Sequence, residues 1–164
     1  NDFIIDLFEN DWKINNSILL IEPYVGLNYD FFNFGENVEA ILHGTYHSGT
    51  VCSEDNEKSN GYDYDDYCNS ILYLIDKVGN KKIYIAPSDL SGNIYETIKK
   101  IKEHQNGNVY FVNGVTKEML YAKLLVAFSY EPLKRKITHF LSSEYNHEIV
   151  VEINGSQKLI DRVD

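Results

Sequence analysis

Four short apolar runs, each too brief for a helix and too continuous for a surface strand, constrain this chain more than any other feature. They are SILLI at 17–21, VEAIL at 38–42, IYIA at 83–86 and VYFV at 109–112. β-Branched and aromatic residues dominate them, and near-continuous apolarity is what a strand covered on both faces requires. Between and after them lie segments with helical spacing. Residues 67–78 carry Ile71, Leu72, Leu74, Ile75 and Val78, and residues 93–104 repeat Ile94, Ile98 and Ile101. Residues 28–34 form a short aromatic candidate helix. Residues 116–128 open on Thr116 as an N-cap, and a last helix starts at Pro132 and runs to about Ser142. Strands alternating with crossovers of this length pair in parallel through right-handed connections. The expected fold is α/β, a small three-layer sandwich of about four parallel strands with helices on both faces.

The tail departs from this alternation. Residues 148–153 alternate, Asn154-Gly155 signals a tight hairpin turn, and residues 159–163 can pair back. Residues 1–16 are polar with scattered apolar positions and include the only tryptophan, Trp12. They are expected to be an incoming linker, residues 17–150 the domain, and 151–164 a tail. The chain begins Asn1-Asp2-Phe3 without an initiator Met, which suggests a piece of a longer protein. Residues 53–66 (SEDNEKSNGYDYDD) are acidic, rich in turn formers and long for a strand-to-helix loop.

Charge and length exclude some functions. With 15 Lys and Arg against 25 Asp and Glu, the formal charge is −10, which repels phosphate backbones and argues against nucleic acid as a partner. No apolar run approaches the ~18–20 residues needed to span a bilayer, so no membrane role is expected. Cys52 and Cys68 form neither a disulfide framework nor a CxxC pair, and are expected to be free thiols.

In an open parallel sheet, ligands bind where loops leave the carboxyl ends of the strands. Three such loops are rich in glycine and hydroxyls: 43–50 (HGTYHSGT), 87–92 (PSDLSG) and 113–116 (NGVT). Together they can gather N–H groups and side-chain oxygens around a small polar group, although the same residues also make ordinary turns and caps. His43, His47 and Cys52 are metal-ligand types, but they straddle a strand end and a loop and lack the geometry of one helix face. Cys52 or Ser48 beside a histidine lacks a motif that would orient the base. Asp63 to Asp66 lack the glycine and closing glutamate of an EF-hand.

The order and content of these segments resemble the C-terminal domain of the bacterial-type L-asparaginases, closest to the cytoplasmic type I branch. ILLIEPYVG at 18–26 is similar to the strand that opens that domain and ends in a Pro-Gly turn. AILHGTYHSGT at 40–50 is similar to its strand followed by a Tyr-Gly-x-Gly-Asn type loop, and SDLSG at 88–92 to a short Ser-Gly or Thr-Gly loop. GVTKEMLYAKL at 114–124 resembles its Gly-x-(Thr/Leu)-x-Glu helix, and LSSEYNHEI at 141–149 its closing helix. His43-Gly44-Thr45 begins like the family's catalytic His-Gly-Thr-Asp-Thr motif, but Tyr46 and His47 replace the Asp-Thr and the flanking segments belong to the other domain.

The resemblance implies a parent enzyme that hydrolyses L-asparagine to L-aspartate and ammonia through threonines carried in its N-terminal domain, without a cofactor or metal, in the cytoplasm. It implies two partners, that catalytic domain and a second subunit. It places substrate-side contacts on Tyr46, His47, Ser48 and Thr50, with Ser48 where some members hold a substrate-contacting Asn. It places Ser88, Asp89 and Ser91 on a loop near a second, allosteric asparagine site. No catalytic residue is expected on this chain. The alternative is a module that binds a small amino acid or dimerises without catalysis. A third possibility, a flavodoxin-like phosphate binder, lacks a Gly-rich loop after the first strand, where Glu22-Pro23-Tyr24 stands instead.

Overall fold

A computed structural model describes residues 13–54, 64–87, 95–104, 108–143 and 160–162. Four parallel strands form the sheet: β1 (Ile18–Ile21), β2 (Ala40–His43), β3 (Lys82–Ile85) and β4 (Val109–Val112). A fifth, β5 (Ile160–Arg162), pairs antiparallel with β4, so the sheet order is β1-β2-β3-β4-β5. The helices are α1 (Ile71–Val78), α2 (Tyr95–Glu103), α3 (Lys117–Ser129), α4 (Glu131–Arg135) and α5 (Ile137–Ser142), with 3-10 turns at Tyr29–Phe31 and Tyr64–Asn69. The expected α/β sandwich, parallel with helices on both faces, is therefore the fold of this chain.

The register explains why the strands are so uniformly apolar. Ile21, Ile41, Ile83, Ile85, Val109 and Phe111 point to one face, where they meet Leu27, Tyr29, the buried side of α1 and Ile101 of α2. Ile18, Ala40, Leu42, Tyr84 and Val112 point to the other, against Leu120, Leu124, Ala127 and Phe128 of α3 and Leu133, Ile137, Phe140 and Leu141 beyond it. Central strands are thus sealed on both sides, whereas Leu20 on the edge strand β1 remains exposed. Right-handed crossovers in a steadily advancing sheet all fall on one face. The connections β2–α1–β3 and β3–α2–β4 obey this, and only the segment leaving β4 carries its helices to the opposite face.

Several element boundaries differ from the sequence expectation for local reasons. The helix expected over 67–78 is interrupted at Ser70, whose extended backbone and hydroxyl, accepting from Leu72 N–H at 3.2 Å, restart the chain as α1. The helix expected over 132–142 breaks at Lys136, where ψ rises to 28° and the N–H turns back to Leu133 O, leaving Pro132 in the first turn of α4. Residues 28–34 supply only the Tyr29–Phe31 turn, capped by Asn28 accepting from Asp30 N–H at 2.7 Å. In the tail, residues 148–153 lie outside the described residues. The described portion, Ile160–Arg162, adds to the sheet beside β4. No helix among the described residues is long and apolar enough to cross a membrane.

Candidate functional site

All four parallel strands end at the same edge, and there the chain opens a crevice of about 310 Å³. Glu22 follows β1, Gly44 and Thr45 follow β2, Ala86 and Pro87 follow β3, and Gly114 to Glu118 lead from β4 into α3. The opening has a topological cause. The helix that follows β3, α2, packs on the same face as α1, while α3, which follows β4, packs on the opposite face, the situation that defines ligand crevices in open sheets.

Local chemistry shapes each wall. Gly114 turns the chain at φ 78°, a left-handed conformation that side chains with a Cβ adopt at a cost of ~1–2 kcal/mol. Thr116 then caps α3, its hydroxyl accepting from Met119 N–H at 3.3 Å. The N–H groups of Lys117 and Glu118, at the start of the helix, have no intrahelical acceptor, and the helix dipole adds positive potential there. Lys117 forms an ion pair with Glu22 across the crevice, and its Nζ lies 3.9 Å from Glu118. Lys117 is the most covered of the three side chains, so the crevice combines one cation, two carboxylates and a helix N-terminus. Gly44 leaves little room for a side chain on the remaining wall. A Cβ there would lie 2.9 Å from Glu22 Oε2 and 3.2 Å from Pro23 Cδ.

Immediately behind Gly44, on the opposite face of the sheet, His43 is fully buried. Its Nδ1 lies 2.6 Å from Gly44 O, which can only accept, so Nδ1 carries the proton. Burial lowers the imidazole pKa to about 4, keeping the ring neutral, and Nε2 therefore accepts from the Tyr29 hydroxyl at 2.9 Å. Burial, reinforced by nearby Tyr46 and Cys52, pushes the Tyr29 phenol up, so it too stays neutral. With both ring nitrogens engaged, His43 serves as a brace and offers no lone pair to a metal. Among the described residues no cluster of His, Cys, Asp and Glu is arranged to hold a metal ion.

The sequence nominations divide into three sets. Tyr46, His47, Ser48 and Thr50 are brought together in a tight turn: Tyr46 N–H donates to Thr50 O and Gly49 N–H to Tyr46 O, each at 2.8 Å. The Ser48 and Thr50 hydroxyls lie 2.8 Å apart, and His47 and Ser48 are exposed. This turn adjoins the crevice through Thr45 but is not among the residues lining it. Ser88, Asp89 and Ser91 lie outside the described residues. The loop at 113–116 supplies Gly114 and Thr116 to the wall as its composition suggested. Lys117 and Glu118 are not among the sequence candidates, and Glu22 enters there only as part of the Glu22-Pro23-Tyr24 segment that stands in place of a Gly-rich loop. Their shared signal is position, a charged residue directly after a strand facing one in the first turn of a helix. Cys52 and Cys68 are both free and half-buried.

No protein family, no curated protein and no solved structure matches the chain.

The buried imidazole makes stability depend on pH. The unfolded chain takes up a proton near pH 6.5, whereas the folded chain resists it until about pH 4. Stability is therefore flat above about pH 7 and falls as the pH drops from about 6.5 to 4, by about 3 kcal/mol if this group acts alone. Denaturant unfolding between pH 8 and 4.5, roughly the window in which a histidine but few carboxylates titrate, measures this directly. A flat profile down to about pH 5 would contradict the assignment.

Proposed function

We propose that this chain is the C-terminal α/β domain of an asparaginase-family amidohydrolase, cytoplasmic, contributing subunit interface and substrate-side polar contacts while the amide chemistry belongs to threonines in a separate N-terminal domain. One observation carries the reading. The segments that resemble the family at 18–26 and 40–50 begin with β1 and β2, and those at 88–92 and 114–124 come after β3 and β4, so the resemblance runs in the order of the strands of one sheet. The Thr-Gly-Gly-Thr segment that would carry the nucleophile is absent from the sequence. His43, the best-placed imidazole near a hydroxyl-rich loop, is buried and doubly hydrogen-bonded, so it cannot activate Ser48 or Thr50 as a base. In this reading the exposed turn of Tyr46, His47, Ser48 and Thr50 faces a neighbouring subunit's substrate.

Ammonia release from L-asparagine, and separately L-glutamine, tests the proposal. The chain alone should give none above the uncatalysed background, and the full product of its gene should give turnover with L-asparagine. Turnover by the chain alone would overturn the division of labour, and inactivity of both would remove the amidohydrolase reading.

The crevice favours a second reading, a binding module for a small amino acid. A zwitterion has one carboxylate for Lys117 and the α3 N-terminus and one ammonium for Glu22 and Glu118, and these groups stand within one small cavity. Calorimetric titration of the chain with L-asparagine should show saturable binding, weakened about tenfold or more in Lys117→Gln, the size expected for losing a hydrogen bond to a charged group. Absence of heat with both L-asparagine and L-aspartate would remove this reading and leave the first standing.

A further inference from the structure

We infer that the buried His43–Tyr29 pair is a positioning device for the crevice, fixing the Gly44–Thr45 peptide that forms its floor and thereby setting ligand affinity there. The inference rests on the reading of the crevice as an amino-acid site. Three constraints meet at Gly44. Gly44 N–H donates to Ile21 O at 3.0 Å, which ties it to the end of β1. His43 O accepts from Ala86 N–H at 3.0 Å, which ties the preceding residue to the end of β3. Gly44 O accepts from His43 Nδ1 at 2.6 Å, which sets the rotation of the peptide plane itself. The first two bonds continue the sheet and would hold any residue at this height. The third acts on the 44–45 peptide itself and bears on which way it faces.

Its direction matters because a trans peptide carries its C=O and N–H on opposite sides. The Gly44 carbonyl is drawn back toward the imidazole, on the face of Tyr29 and α1. The Thr45 N–H consequently points away from the imidazole, toward the side where Glu22, Gly114 and the start of α3 stand. Tyr29 completes the device from the 3-10 turn after β1. The carbonyl of Gly44 fixes the proton on Nδ1, and by donating to Nε2 Tyr29 holds the ring in the rotation at which that N–H meets Gly44 O. The ring has no exposed surface, and Tyr29 is 2% exposed, so neither group is available to touch a ligand. Their effect on binding is transmitted through one peptide plane.

The test compares Tyr29→Phe with Ile75→Val, a core truncation in α1, whose residues do not line the crevice. Each variant is titrated with L-asparagine, and its Tm and the ¹⁵N resonances of the imidazole are recorded. Wild type should show the neutral Nδ1-protonated ring at neutral pH. Tyr29→Phe should weaken L-asparagine binding about tenfold, one hydrogen bond's worth of lost pre-organisation, and shift the Nε2 resonance, which loses its donor, while the ring stays protonated on Nδ1. Ile75→Val should lose thermal stability yet hold its affinity within about twofold, as expected for a separate site. Equal affinity in wild type and Tyr29→Phe, or a ring protonated on Nε2 in wild type, overturns the inference while leaving the crevice reading intact. Failure of wild type to bind L-asparagine removes both together, so the two failures are distinguishable.

Discussion

The right-handedness of parallel crossovers governs this structure. Laid down in strict order from β1 to β4, the sheet must send its successive crossovers to one face, and they bury the face of Ile41, Ile83, Ile85 and Phe111. The opposite face, with Leu42, Tyr84 and Val112, would stay exposed unless the chain leaving β4 turned the other way. It does, through Gly114, and α3 lies over that face with α4 and α5 packed beyond it. Covering the second face therefore forces adjacent loops apart at one point on the carboxyl edge. The crevice is the geometric consequence of completing the core.

The charges in the crevice follow the same logic. Glu22 continues the side-chain alternation of β1 onto the face that α3 covers, and Lys117 enters from the first turn of that helix. A lysine in the first turn opposes the helix dipole, and an acidic residue would be favoured there. The pairing with Glu22 and the nearness of Glu118 offset that cost, which leaves a cation held beside open N–H groups.

The strands were legible because full burial on two faces leaves little room for polar residues, so SILLI, IYIA and VYFV could be located to within a residue or two. The cap at Thr116 was legible for an equally local reason. Breaks at Ser70 and Lys136 were not, since both lie inside sequences whose apolar spacing continues across them. The pairing of Ile160–Arg162 with β4 was hidden by a strong local turn signal, which says nothing about a partner many residues away. At the crevice, composition pointed to the edge on which it opens and to the loop of Gly114 and Thr116 that lines it. It gave equal weight to the turn at Tyr46 to Thr50, because hydroxyls and glycines that make a turn look the same in sequence as those that line a cavity. The Glu22–Lys117 pair joins two distant segments and carries no pattern of its own.

In the amino-acid reading of the site, the crevice at the carboxyl edge of the sheet receives a small zwitterion. Amide chemical-shift mapping of the ¹⁵N-labelled chain during titration with L-asparagine tests it most directly. The account predicts saturable shifts concentrated at Gly44, Thr45, Gly114, Val115, Lys117 and Glu118, with α1 unmoved. Shifts confined to the α1 and α2 face, or none at saturating ligand, would contradict it.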